Sequence, residues 1–437
     1  MIEFLTLFAG LILGVQNIEV AVSGPVTRVE LLLNDEVMAD IDGPPWIARV
    51  DLGRELRPAV LEAVAFDTAG RELDRAGQRI NLPGRRAEAE IVSIRDEDGR
   101  VNSARLTWSS PEFSRPKKIA VELDGQSLKV RSPYRIDLSG VDDEGVHVLS
   151  AEFQFSGDLI IRRELVFGSE FTGDHDSGLT AVAVVLDELD ELPPPEALEG
   201  WFVRDGEPLE VTAVETPDAH LVVVRDPTAV HALAEMSPEL DRRRKKARRD
   251  SSKQRTLDIF GDDVEISVLS PEPVPPPDRE PAAMLFPYSN RPIAGPKGIV
   301  SATVGSAPAS LLGGPLMMSD AVAVAAMRAA EGNRRRMVVL MLGKRREDGS
   351  RFAPAIARRY LEDLRVPLVV WDLTGPSEDP PTGWGDLKPV ENVDDLVRQV
   401  RRLRYRLGEQ RIVWLRGTHL PQQVELTERA RGVSLAR

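Results

Sequence analysis

Residues 337–373, MVVLMLGKRREDGSRFAPAIARRYLEDLRVPLVVWDL, constrain this chain more than any other stretch. An unbroken apolar run, Met337 to Leu342, leads into a polar loop rich in Gly and charge. A helical stretch from Pro354 to Leu364 follows, and then a second apolar run from Pro367 to Trp371. Apolar runs that do not alternate belong to strands covered on both faces, and helices do the covering. Strand, helix and strand in so short a span make a βαβ unit with a right-handed crossover. The loop after Leu342 therefore lies where such sheets place their ligands.

Further apolar runs extend the alternation. Strands are expected at Leu221–Val224, Val264–Leu269, Ile299–Val304 and Ile412–Leu415 besides the two above. Three helices carry end signals. Ser319-Asp320 reads as an N-cap for AVAVAAMRAA, which stops at Gly332-Asn333. Pro354 opens the second. The third places Leu396, Val400, Leu403 and Leu407 on one stripe, arginines on the other face, and Gly408 as its stop. The C-terminal part, 179–437, is thus expected to be a doubly wound α/β domain of the Rossmann type, entered through a β hairpin at Asp205-Gly206.

Upstream the period changes from helical to alternating. Ile18, Val20 and Val22 alternate with Glu19, Ala21 and Ser23, and Trp46, Ala48, Val50 and Leu52 with Ile47, Arg49 and Asp51. Turns are signalled at Asn34-Asp35, Gly43-Pro44-Pro45 and Asp67-Thr68-Ala69-Gly70. Farther on, Ile119, Val121 and Leu123 precede the turn pair Asp124-Gly125, and Leu149, Ala151, Phe153 and Phe155 share one face. Two antiparallel β-sandwiches are expected, at 16–84 and 85–170, with the Gly-rich stretch 168–178 as a linker. The Asp67–Gly70 turn between two strands resembles that of bacterial immunoglobulin-like modules.

The apolar stretch Phe4–Val15 has the length of a signal-peptide core, too short to span a bilayer. It lacks a positive lead, and a first strand is the alternative. Export, to periplasm or medium, is the expectation. Asp241–Arg255 is a dense basic run that reads as a solvated helix face or loop, and 271–298 as an extended Pro-rich loop.

Composition removes several functions. A net charge of −14 argues against general affinity for nucleic acid or anionic membrane. The absence of cysteine excludes thiol chemistry, disulfides and cysteine zinc sites, and the five histidines are scattered. Asp174-His175-Asp176 lies inside the linker and cannot close a coordination shell alone. There is no Walker loop and no nucleophile elbow. No catalytic constellation is expected.

The segments WFVRDGEPLEV, HLVVVRDPTAV, TLDIFGDDVEISVLS, GGPLMMSDAVAVA and MVVLMLGKRREDGSRF follow one another in that order. Together they resemble bacterial proteins related to the von Willebrand factor type A domain, in which immunoglobulin-like modules can precede that domain. The resemblance covers roughly Leu179 to the end of the sequence. It implies a site for a divalent cation at the carboxyl ends of the strands, built from Asp-x-Ser-x-Ser, a Thr and a second Asp. On this chain Asp226 matches the first acid and Thr228 a hydroxyl. Val230, Pro315 and Gly343 stand where the other oxygens belong, and Lys344, Arg345 and Arg346 follow. Too few oxygens survive for Mg²⁺, and the cations would repel it. The expectation is a vestigial site with no metal and no cofactor. The protein would then be non-catalytic and would bind a protein partner through Asp226, Pro315 and Lys344–Arg346, a cluster suited to an acidic surface. The alternative is a cation-dependent adhesion module rebuilt from Asp320, Glu347 and Asp348.

Overall fold

The computed structural model describes residues 2–8, 10–83, 88–95, 101–109, 115–130, 134–141, 145–155, 160–168, 179–248, 263–273, 286, 288–289, 316–344, 348–374 and 383–437. The chain divides into two compact units. One contains Met1–Pro83, Ala181–Trp414 and Leu420–Arg437, and the other Gly84–Thr180 with Leu415–His419.

The second unit is a β-sandwich. One sheet runs Gln126–Leu128, Lys118–Leu123, His147–Gln154, Ile160–Phe167, and the other Arg135–Asp137, Val101–Ser109, Glu88–Arg95. The expected alternation is what fills it: Leu149, Ala151, Phe153 and Phe155 are all buried, facing Ala104, Leu106 and Ile136 of the other sheet. Asp124 and Gly125 both take positive φ, as a two-residue hairpin turn requires.

The first unit begins with another sandwich, of three and four strands. Ile18, Val20 and Val50 from one sheet pack on Val29, Leu31, Leu61 and Ala63 from the other. Asp67 folds its turn as expected, its Oδ1 accepting from the N–H groups of Ala69 (2.8 Å) and Arg71 (2.9 Å). Of the apolar stretch Phe4–Val15, only the two end residues lie in strands among the described residues. Ile2–Phe4 pairs antiparallel with Val15–Val22, and Ile2 is buried.

The same unit continues into the α/β part. Its strands are β1 (Ala219–Arg225), β2 (Val264–Leu269), β3 (Tyr288–Ser289), β4 (Arg335–Leu342), β5 (Leu368–Asp372) and β6 (Leu387–Pro389). They lie in the order 3-2-1-4-5-6, with β3 antiparallel and the others parallel. The helices are α1 (Ala229–Arg248), α2 (Met318–Ala330), α3 (Pro354–Asp363) and α4 (Val393–Gly408). Strand parity sorts them. Val222, Val224, Leu340 and Val370 point toward α2 and α3, whereas Leu221, Val223, Val339 and Trp371 point toward α1 and α4. The sheet is doubly wound, and its runs are continuous because both faces are covered. The N-terminal sandwich joins the α2/α3 face. Leu11, Leu56 and Leu82 share that core, and the Tyr360 hydroxyl donates to the carbonyl of Asn81 (2.8 Å).

Two expectations are corrected. Ile412–Leu415 does form a strand, Gln410–Arg416, but not in the parallel sheet. It lies between Val211–Glu215 and Leu179–Leu186 in a separate four-stranded sheet. The sixth place is taken by β6, whose three residues have no apolar pattern to announce them. The N-cap expected at Ser319-Asp320 lies two residues earlier, at Met317, which offers no side-chain acceptor, and Ser319 and Asp320 fall inside the helix. The basic run is helical as far as Arg248. Residues 249–255, the linker residues 169–178, Ile299–Val304 and most of 271–298 fall outside the described residues.

Candidate functional site

The sheet order reverses between β1 and β4, and the crevice beyond their carboxyl ends is where open α/β sheets bind ligands. Asp226 sits there, directly after β1, and its N–H donates to the carbonyl of Met341 (2.9 Å), prolonging the pairing of β1 with β4. Its side chain is 1% exposed. Oδ1 accepts from the N–H and the hydroxyl of Thr228 (both 2.8 Å), and Oδ2 from the N–H of Gly343 (3.1 Å). Asp226 therefore closes its own turn and ties it to the loop after β4. It faces inward, and the exposed group at this point is Lys344.

Gly343 makes that closure possible. A Cβ built on it would overlap Thr228 Oγ1 and lie 2.6 Å from Ala229 N. The space in which a side chain at 343 would begin is occupied by the β1–α1 turn. An acid there, as in the resembled site, would need both loops to move apart.

The neighbouring acids are committed in the same way. Asp348 caps α2 from 30 residues away: Oδ1 accepts from Met318 N (3.0 Å) and Ser350 N (3.0 Å), and Oδ2 from the Ser319 hydroxyl (2.9 Å). Ser350 Oγ completes the cap by accepting from Ser319 N (2.9 Å) and Asp320 N (3.2 Å). A carboxylate at a helix N-terminus satisfies its free N–H groups and its positive end together. Asp320, 1% exposed, accepts from Arg351 N (3.0 Å), Phe352 N (3.3 Å) and Arg351 Nε (2.9 Å). At the end of β5, Asp372 repeats the Asp226 motif, accepting from the N–H of Thr374 (2.9 Å) and from its hydroxyl. Sequence reading missed Asp372, although Asp-x-Thr after an apolar strand was the available signal.

Of the residues singled out from sequence, the structure brings Asp226, Thr228 and Gly343 together and leaves Lys344 exposed beside them. Val230 lies in the first turn of α1. Pro315, Arg345, Arg346 and Glu347 fall outside the described residues, as do Asp174, His175 and Asp176. Among the described residues, no group of three or more His, Asp or Glu side chains is placed to hold a metal ion. No helix among them is long and apolar enough to cross a membrane.

No protein-family model and no curated protein matches the chain. Solved structures that match include β-sandwich modules. The fibronectin(III)-like modules of Clostridium thermocellum CbhA share 16% identity over 18% of this chain and 93% of theirs, with a TM-score of 0.17. The central fibronectin-III array of RIM-binding protein shares 11% over 44% of this chain and 80% of its own (TM-score 0.20). Proximal thread matrix protein 1 from the mussel byssus shares 13% over 45% of this chain and 49% of its own (TM-score 0.27). All three scores lie far below 0.5, and the functional reading rests on the geometry of the site.

Proposed function

We propose that residues 179–437 form a von Willebrand type A-like domain whose cation site has been replaced by internal hydrogen bonds, and that the protein is a non-catalytic binding protein. The supporting observation is the state of Asp226. Each of its oxygens accepts hydrogen bonds from the turn or the facing loop, and Gly343 stands where a second acid has no room. A hard cation wants about six oxygens from separate loops, and the described acids at this edge spend theirs on backbone and hydroxyl donors and on the Arg351 guanidinium. What remains to meet a partner is the exposed rim, with Lys344 at its centre and an acidic protein surface as its complement. Extracytoplasmic placement, expected from the apolar start of the sequence, belongs to the same reading. Recovery of the protein only from the cytoplasmic fraction of its source cells would remove that placement.

Calorimetric titration of Mg²⁺, Mn²⁺ and Ca²⁺ into the full chain is the direct test, with Asp226→Asn as control. No heat from either protein is expected. Saturable binding that disappears in the variant would restore a cation-dependent adhesion module. For the partner, capture by the full chain is compared with capture by Lys344→Glu, and a loss of binding without a change in melting temperature is expected.

A further inference from the structure

The outer face of α4 carries a dense row of arginines, three of which the fold does not pair among the described residues. The helix buries Leu396, Val400, Leu403 and Leu407 and exposes Arg398, Arg401, Arg402, Arg404, Tyr405 and Arg406. Several exposed arginines elsewhere on this unit meet carboxylates: Arg28 meets Glu30 and Asp40, Arg75 meets Glu62 and Glu72, and Arg243 meets Asp394. On α4, Arg398 has Asp395 (2.7 Å). Among the described residues, no hydrogen bond or ion pair reaches Arg401, Arg402 or Arg406. Carboxylates are not scarce in a chain with 70 acids and 56 Lys and Arg.

The spacing makes this more pointed. Arg398, Arg402 and Arg406 follow one another at i, i+4, the arrangement in which like charges on one helix repel. The negative end of the helix accounts for Arg404 and Arg406 in the last turns. It does not reach Arg398, Arg401 or Arg402. Arg398 has its counter-charge in Asp395, whereas Arg401 and Arg402 have none on the helix.

We propose that this face of α4 docks an extended, acidic segment of a partner protein, at a surface separate from the rim around Lys344. Four helical residues rise about 6 Å, and alternate residues of an extended strand lie about 6.6 Å apart. Arg398, Arg402 and Arg406 are thus in step with carboxylates at every second position of a strand laid along the helix. Each planar guanidinium can take a carboxylate through two parallel N–H donors. Tyr405, 68% exposed, stands at i+3 from Arg402 and i+4 from Arg401 and offers a rigid apolar face between them. The chemistry of this face favours a short acidic segment over nucleic acid, because a net charge of −14 repels a long polyanion at a distance. It also disfavours a lipid surface, since Tyr405 is the one large exposed hydrophobic side chain on this helix and nothing beside it can insert.

The test uses the full chain and a fluorescent peptide of alternating Glu and Thr at low salt, followed by anisotropy, with a Gln/Thr peptide as blank. Saturable binding of the Glu peptide is expected, weakening as salt is added. Arg402→Gln combined with Arg406→Gln should reduce affinity roughly tenfold or more without moving the melting temperature, because both side chains are exposed and make no internal bond. Lys344→Glu should leave peptide affinity unchanged. The last turn of α4 lies at the opposite edge of the sheet, where Arg335 at the start of β4 bonds the carbonyl of Leu407. That variant separates failure of this proposal from failure of the rim. Absence of Glu-peptide binding, equal affinity in the double variant, or tighter binding of single-stranded DNA or anionic vesicles would each overturn the assignment.

Discussion

At the carboxyl ends of β1, β4 and β5 the backbone is fastened by carboxylates, and at the amino ends by guanidiniums. Asp226, Asp320, Asp348 and Asp372 close turns and cap α2. At the other edge Arg336, 3% exposed, donates to the carbonyls of Arg365 (3.2 Å), Leu364 (3.4 Å) and Ala330 (3.5 Å), where α2 and α3 end. Arg335 reaches Leu407 O (3.2 Å) at the end of α4, and Arg365 reaches Val424 O (2.8 Å). Asp320 and Asp348 sit at the start of α2, and Arg335 and Arg336 at helix ends, each at the pole that attracts its charge. The difference lies in reach. Asp226, Asp348 and Asp372 each close their own turn, and Asp226, Asp320 and Asp348 also reach a second loop, whereas Arg335, Arg336 and Arg365 close no turn of their own and bond the ends of other segments. The edge built for ligands fastens its own turns and the loops beside them, and the opposite edge fastens the ends of helices to strands.

Removing Arg336 should therefore have the largest effect. Burial lowers its pKa to about 10, so it remains a cation at neutral pH, bonded to carbonyls alone. Arg336→Met should destabilise the first unit by about 4 kcal/mol in urea unfolding, because the carbonyls are left buried without donors. A loss below about 1 kcal/mol would break the comparison.

Acid should weaken the same edge next. His220, on β1, is 2% exposed, with Nε2 at 3.0 Å from Ser267 Oγ, and burial, aided by Arg334 and opposed by Glu265, lowers its pKa to about 4. The unfolded chain binds that proton near pH 6.5. The neutral ring's contribution is thus complete above pH 6.5 and is lost as pH falls from 6.5 to 4, by up to about 3 kcal/mol. Urea midpoints across that range should show the slope, and His220→Gln should flatten it.

At the carboxylate edge, Gly343→Ala should lower stability by about 2 kcal/mol, read as a fall in melting temperature, since Thr228 Oγ1 and Ala229 N occupy the new methyl's place. The smallest effect should come from Asp348→Ala, about 1 kcal/mol for a lost helix cap. Hydrogen exchange should show it confined to the first turn of α2. Exchange spreading through the sheet would mean that this edge is not local at all.

Much of this architecture could be read from sequence, because burial on both faces leaves a local trace. The runs at β1, β2, β4 and β5 needed only their own residues to be recognised. Gln410–Arg416 shows the limit: Ile412, Val413 and Leu415 are as buried as any strand of the parallel sheet, yet a run of apolar residues does not say which sheet it joins. β6 left no trace, since Leu387-Lys388-Pro389 has neither period nor continuity. At the site, Asp226 was visible as a match to a pattern and Gly343 as a departure from it. The cap by Asp348 was not, because a residue 30 positions away supplies what Met317 lacks. Arg336 escaped for a related reason, since its carbonyl partners carry no residue signature.

The shared core of the N-terminal sandwich and α3 also sets an order of events during synthesis. Asn81 leaves the ribosome early, but the Tyr360 hydroxyl that it accepts lies 279 residues downstream. At usual elongation rates the nascent sandwich waits about 15–55 s with Leu11, Leu56 and Leu82 uncovered, while residues 84–180 emerge and close their own sandwich. That interval is when a chaperone has the most apolar surface to hold, and where translation speed would tell on the yield of folded protein.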